Sequence, residues 1–235
     1  MNFYRDYIQK FVSNPLQVVT GLFALHIIFA ISGWIDTDWV MGSMLLIWIY
    51  PLVFSSKEGR KEIGIRLPVH WSWWLVGPIV GVTTAVLVIT LAWFILGLSD
   101  ASWLVQIGRN LDWQLGVVPS DLHTDTKFWI LILPPIVVLP LAMEILYRGY
   151  IQRSISDKVS GSNAAFLQAG FHTFIAQIVY DGFGADVLAL WIPSMLIVYW
   201  SFGIIRFKSA SLWPSVLGHT IYLYSVLWFV YYRVM

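Results

Sequence analysis

The chain has 235 residues, of which 58% are hydrophobic and only 11% charged, against roughly 25% charged in a typical soluble domain. With a mean hydropathy of +0.73 and fourteen Trp, eleven Tyr and fourteen Phe, it would overfill a soluble core and reads as an integral membrane protein with little mass outside the bilayer. A net charge of +1 without a long basic block excludes nucleic-acid binding, and the absence of cysteine excludes disulfide frameworks and thiolate metal sites.

The first fourteen residues carry Tyr4, Arg5, Asp6 and Lys10 and no small-residue cleavage pattern, so no cleaved signal peptide is expected. A membrane-crossing helix needs about 20 apolar residues, because the hydrocarbon core is about 30 Å thick and each residue rises about 1.5 Å. Spans are predicted at about Leu16–Trp34, Val40–Phe54, Trp71–Leu98, Phe128–Tyr150, Ala164–Tyr180, Val187–Ile205 and Leu212–Tyr232. All are helices, since hydrocarbon satisfies no open strand edge. Phe3–Val12 is weakly amphipathic and suits the membrane surface. Between Ser99 and Lys127, Trp103, Leu104, Ile107, Leu111 and Leu115 recur at near-helical spacing and predict an interfacial helix. The expected fold is an all-α polytopic bundle of seven helices, or eight with the N-terminal one, forming a single membrane domain over 1–235. No internal repeat is visible, against an inverted-repeat transporter.

With the N-terminus placed in the cytoplasm, Arg5, Lys10, Lys57, Arg60, Lys61, Arg66, Arg153, Lys158, Arg206 and Lys208 fall on the cytoplasmic side. Arg109, Lys127 and Arg233 fall on the other. That asymmetry follows the positive-inside rule.

Ionisable groups inside hydrocarbon are costly and need a reason. Glu144 and Arg148 stand on the fourth span, His172 on the fifth and His219 on the seventh. Counted from the cytoplasmic end, Glu144, His219 and His172 lie roughly 10 to 15 Å deep at about 1.5 Å per residue. Three helices therefore offer polar groups at one level. Glu144 and Arg148, at i and i+4, share a helix face and can pair; an ion pair that only pins helices together is the plainer reading. Pro134, Pro135 and Pro140 precede them and are expected to kink or loosen this helix. Gln168 shares a face with His172, as Ser215 does with His219. For His26, on the first span, a hydrogen bond to a neighbouring helix is the expected role.

Several stretches resemble one family. Met143-Glu144-Ile145-Leu146-Tyr147-Arg148-Gly149 is similar to the Glu-Glu-x-x-x-Arg-Gly motif of the CPBP family, which contains CAAX prenyl endopeptidases and bacteriocin-processing proteins. Ser211-Leu212-Trp213-Pro214-Ser215-Val216-Leu217-Gly218-His219 resembles its later histidine motif. Phe171-His172 falls where its middle histidine belongs, and Ile63-Gly64-Ile65-Arg66 is similar to a common entry sequence. The resemblance covers about residues 60–230 and implies an intramembrane protease frame with Glu144, His172 and His219 at its centre.

The chain departs from that pattern at the residues that do chemistry. The resemblance implies that the first glutamate of the pair activates water with the middle histidine, and Met143 stands there. It implies an Asn or Asp four residues after the last histidine, and Leu223 stands there. A general base contributes about 10²–10⁴-fold and an oxyanion donor about 10²–10³-fold, so losing both leaves little hydrolysis. Glu144 as a replacement base and Gln168 as a replacement oxyanion donor stay open. A zinc set of His172, His219 and Glu144 meets competition from Arg148 for the carboxylate, so no metal and no cofactor is expected. The expected role is a non-hydrolytic pseudoprotease in a bacterial or archaeal cytoplasmic membrane. Its partners would be the lipid bilayer and another membrane protein or membrane-associated peptide. An active endopeptidase with an altered catalytic set is the alternative.

Overall fold

The computed structural model describes Tyr4, Arg5, Gly21, Ala24 and residues 37–99, 102–115, 123–179 and 185–235. The predicted first span and His26 lie outside the described residues, apart from Gly21 and Ala24, which are helical. The elements of the described residues are helices: α1 (Thr37–Val53), α2 (Lys57–Glu62), α3 (Trp73–Leu96), α4 (Trp103–Leu115), α5 (Thr124–Met143), a π-helical segment (Glu144–Ile151), α6 (Gln152–Ser156), α7 (Gly161–Val179), α8 (Ala185–Ser209) and α9 (Trp213–Arg233). Among the described residues the only bridge between extended segments is the isolated Tyr4–Ser55 pair.

Six of the predicted spans coincide with α1, α3, α5 with its π extension, α7, α8 and α9. By length and apolarity alone, Trp73–Leu96 and Val187–Ser209 are the described helices able to cross a membrane. α7 and α9 are less apolar because they carry Gln168, His172 and His219. The apolar exterior belongs in lipid. Leu75, Ile79, Val82, Val86 and Phe94 on α3 are all exposed, as are Leu133 and Val137 on α5 and Phe166 and Phe174 on α7. A soluble protein rarely shows so continuous an apolar face. The predicted interfacial helix is present as α4, but Trp103 and Leu104 are buried in the bundle core with Phe128, Trp191 and Val226.

Two apolar clusters flank the polar centre. The larger draws Val88, Ala92, Trp103, Phe128, Val198, Phe202 and Val230 from α3, α4, α5, α8 and α9. The smaller draws Met44, Ile47, Ala142, Ile145, Leu146, Ile175 and Leu212 together, with Met143 packed against it.

α3 and α9 meet backbone to backbone. Gly77 and Gly81 are spaced small-xxx-small, which lets membrane helices approach closely. A Cβ at Gly77 would strike the Pro214 carbonyl, one at Gly81 the Gly218 carbonyl, and one at Gly218 would lie 2.6 Å from the Gly77 carbonyl oxygen.

The start of α9 is also tied down. Leu212 N donates to Gly64 O at 2.9 Å, Arg66 Nε to Ala210 O at 2.7 Å, and Ser211 Oγ to Arg66 O at 2.6 Å. Gly64 has φ +96, and a Cβ there would lie 2.6 Å from Arg206 Nε, so the site admits only glycine without strain. These ties set the height at which α9 presents His219.

The prolines expected to kink or loosen the fourth span leave it continuous. The helix runs on from Thr124 to Ser156, and departs from α geometry one turn after Pro140, in the π-helical turns of Glu144–Ile151. Such wide turns inside helices occur mostly at functional sites. All eight residues of this segment are buried.

Candidate functional site

The π segment delivers Glu144 and Arg148 into the bundle, α7 delivers His172 and α9 delivers His219. All four side chains are buried. Arg148 Nη1 lies 2.8 Å from Glu144 Oε1, with neither side chain reaching solvent. His219 Nδ1 lies 3.0 Å from the same oxygen. Arg148 Nη1 also lies 3.4 Å from His172 Nδ1, and its Nη2 donates to the Tyr199 carbonyl on α8 at 3.1 Å. The two imidazole centroids are 6.2 Å apart.

Donor rules assign the tautomers. A carboxylate oxygen beside a guanidinium accepts, so His219 donates from Nδ1 and a neutral His219 keeps its lone pair on Nε2. A guanidinium only donates, so His172 Nδ1 accepts and a neutral His172 carries its proton on Nε2. The two rings thus present opposite chemistry at Nε2: a base on His219 and a donor on His172.

Aromatic rings fix both imidazoles. His172 is sandwiched between Tyr147 and Tyr199, with centroids at 4.0 Å and 3.6 Å and planes within 9° and 11° of parallel. His219 stacks on Phe202 at 5.4 Å. The Arg148 guanidinium carbon stands 5.4 Å from the Tyr199 ring and 5.8 Å from that of Phe202, within reach of cation–π attraction. Tyr147, Tyr199 and Phe202 pack against these side chains and were not singled out from the sequence. Tyr147 lies inside the Glu144–Arg148 motif, which was a usable signal. Tyr199 and Phe202 come from a stretch of α8 without ionisable groups, where the sequence offered none.

The remaining candidates separate from this centre. Met143 is partly buried against the smaller apolar cluster, and Leu223 against the larger. Gln168 is fully buried one turn before His172, and its Oε1 lies 3.2 Å from where a Cβ on Gly203 would stand. Gln152 Nε2 donates to the Gly203 carbonyl at 3.0 Å. Glu144 Oε2, both amide atoms of Gln168 and Thr173 Oγ1 are buried without a protein partner. Ser215 bonds within its own helix, to Leu212 O at 2.9 Å. Among the described residues no three His, Cys, Asp or Glu side chains are grouped to hold a metal ion.

A cavity of about 580 Å³ adjoins the buried set. Arg148 borders it, together with Glu58, Lys61, Glu62, Arg66, Gln152, Arg153, Ser156, Arg206, Phe207 and Ala210. Arg153 pairs with Glu62 at 3.1 Å and with Asp157. Partial burial draws its pKa down, but the hydrogen bonds and charges of Asp157 and Glu62 outweigh this and hold it above the usual arginine value. Arg206 is held by the carbonyls of Glu62 at 2.7 Å and Ile63 at 3.2 Å.

Residues 125–224, from α5 through the first half of α9, match the family model described as type II CAAX prenyl endopeptidase Rce1-like. Over that stretch, which is less than half of the chain, the protein is similar to type II CAAX prenyl endopeptidases. The matched stretch contains Glu144, Arg148, His172 and His219 and also the two departures, Met143 and Leu223. The all-helical build and the apolar exterior agree with that likeness to a CAAX-protease-type membrane protein. No curated protein and no solved structure matches the chain.

Proposed function

We propose that this protein retains the protease frame without the hydrolysis, and acts as a binding scaffold or subunit for another membrane protein or a membrane-associated peptide. The observation that carries this reading is the state of Glu144. Its Oε1 is shared by Arg148 at 2.8 Å and His219 at 3.0 Å, while the preceding position, where the motif has its first glutamate, is Met143. A carboxylate neutralised by a buried guanidinium is a poor general base, because taking a proton would leave Arg148 uncompensated in low dielectric. Where an Asn or Asp is expected four residues after His219 to help hold an oxyanion, Leu223 stands, packed in apolar surroundings. On this reading the N-terminus is cytoplasmic and the membrane is bacterial or archaeal, with the basic residues around α2, α6 and the end of α8 on the cytoplasmic side.

The test is incubation of purified protein with a prenylated peptide ending in a CAAX sequence, followed by mass spectrometry. The expected result is no cleavage that depends on His172. Cleavage that disappears in His172→Ala would overturn the proposal.

A second reading is favoured by Glu144 Oε2, which is buried without a protein partner, and by the lone pair on His219 Nε2. Together they would serve an endopeptidase with an altered catalytic set. That reading requires turnover that Glu144→Gln abolishes in a folded protein.

A further inference from the structure

We propose that the basic cavity beside Arg148 is a phosphate-binding site, taking either the phosphate of an anionic lipid headgroup or a free phosphate. This goes beyond the functional reading above and stands whether or not the chain cleaves peptides.

Charge comes first. Five cations line the cavity (Lys61, Arg66, Arg148, Arg153 and Arg206) against two carboxylates, Glu58 and Glu62. Two more carboxylates bind lining cations, Glu144 on Arg148 and Asp157 on Arg153. With all four counted the cavity stays positive, so its occupant is an anion. Focusing by low-dielectric walls strengthens that preference.

Geometry then favours phosphate over carboxylate. The cationic donors arrive from four places: Lys61 on α2, Arg66 on the following loop, Arg153 on α6, and Arg206 on α8. A planar carboxylate offers two oxygens in one plane, whereas a phosphate offers three or more around a tetrahedron. Arginine forks suit phosphate oxygens in particular. Two of these arginines are held in place by backbone carbonyls, Arg66 by Ala210 and Arg206 by Glu62 and Ile63, so less side-chain freedom is lost on binding.

Position supplies the source. The cavity lies at the end of α8, whose apolar span Val187–Ser209 finishes beside Arg206, Phe207 and Ala210. A basic pocket between helices at the end of a span sits where lipid headgroups lie. At about 580 Å³ the space exceeds a bare phosphate and has Phe207 on its wall for an apolar neighbour.

The experiment uses the full chain in mild detergent. Native mass spectrometry measures retention of phosphatidic acid against phosphatidylcholine of the same acyl chains, and calorimetry measures binding of inorganic phosphate. Preferential retention of phosphatidic acid without inorganic phosphate binding assigns a lipid source. Inorganic phosphate that binds and displaces phosphatidic acid assigns a free phosphate as a ligand as well. In either case Lys61→Gln and Arg66→Gln should each weaken binding about tenfold, the loss expected of a charge-assisted hydrogen bond. Lys158→Gln, exposed and outside the cavity, should leave it unchanged. Should Arg66→Gln fail to fold, Lys61→Glu carries the same test from an exposed position. Binding of neither probe, or binding equally insensitive to the cavity variants and to Lys158→Gln, overturns the site.

Discussion

The imidazole of His172 lies flat against the phenol ring of Tyr199, with centroids 3.6 Å apart and planes 11° from parallel. Tyr147 covers the opposite face. Both faces of the ring are occupied, so only its edge can meet another molecule. Replacing Tyr199 with Leu keeps apolar volume but uncovers one face. The stack also holds the ring edge in its Arg148 contact, so modification of a ring nitrogen of His172 by diethyl pyrocarbonate, located by peptide mass spectrometry, should be slow in the parent and at least several-fold faster in Tyr199→Leu, where the ring is free to turn. Equal rates would show that stacking does not shield the ring.

The Glu144–Arg148 pair is buried without solvent on either side. Removing one partner leaves a charge uncompensated in the bundle, at a cost of about 3–5 kcal/mol. Glu144→Gln and Arg148→Met should each lower unfolding stability by an amount in that range. The double variant should cost less than the sum by about 1 kcal/mol or more, because the two are coupled. Denaturant titration in detergent micelles gives all four stabilities. Strict additivity would mean that the pair does not act as a unit.

Much of this centre was legible in the sequence, for a definite reason. Helical rise is fixed, so the depths of Glu144, His172 and His219 could be counted along three spans, and the structure places these residues within contact of one another or of Arg148. The i, i+4 spacing of Glu144 and Arg148 likewise anticipated their pairing. What was not legible depends on how helices turn and dock. The π-helical turns after Pro140 follow from backbone geometry that no residue type announces. Tyr199 and Phe202 enter through the rotation of α8 against α7 and α9, which the composition of α8 does not specify. Trp103 and Leu104 were expected at an interface, yet docking of α4 on α3, α5 and α9 buries them.

If hydrolysis was lost through two side chains, restoring them should return part of it. Met143→Glu with Leu223→Asn reinstates the motif's first glutamate and its final amide. The double variant should cleave a prenylated CAAX peptide at least about 10²-fold faster than either single variant, the scale of an oxyanion donor or a general base. Met143 packs against an apolar cluster, so the glutamate should also cost about 1–3 kcal/mol of stability. A folded double variant as inactive as the parent would place the defect elsewhere in the site.

Glycine matters to this fold where helices touch, not wherever it occurs. Gly81 faces the Gly218 carbonyl with no space for a Cβ, whereas Gly170 on α7 has nothing within 4 Å of that position. Gly81→Ala should destabilise the protein by about 1–3 kcal/mol or more through overpacking. Gly170→Ala should be neutral, or stabilise by about 0.5–1 kcal/mol through the better helix propensity of alanine. Thermal unfolding of the two variants in one detergent separates these outcomes. Similar losses in both would remove the case for a tight seam.

That seam has a mechanical consequence. A helix whose main chain rests directly on a neighbour's main chain has no side-chain cushion to shear, so α9 holds His219 as though on a fixed mount.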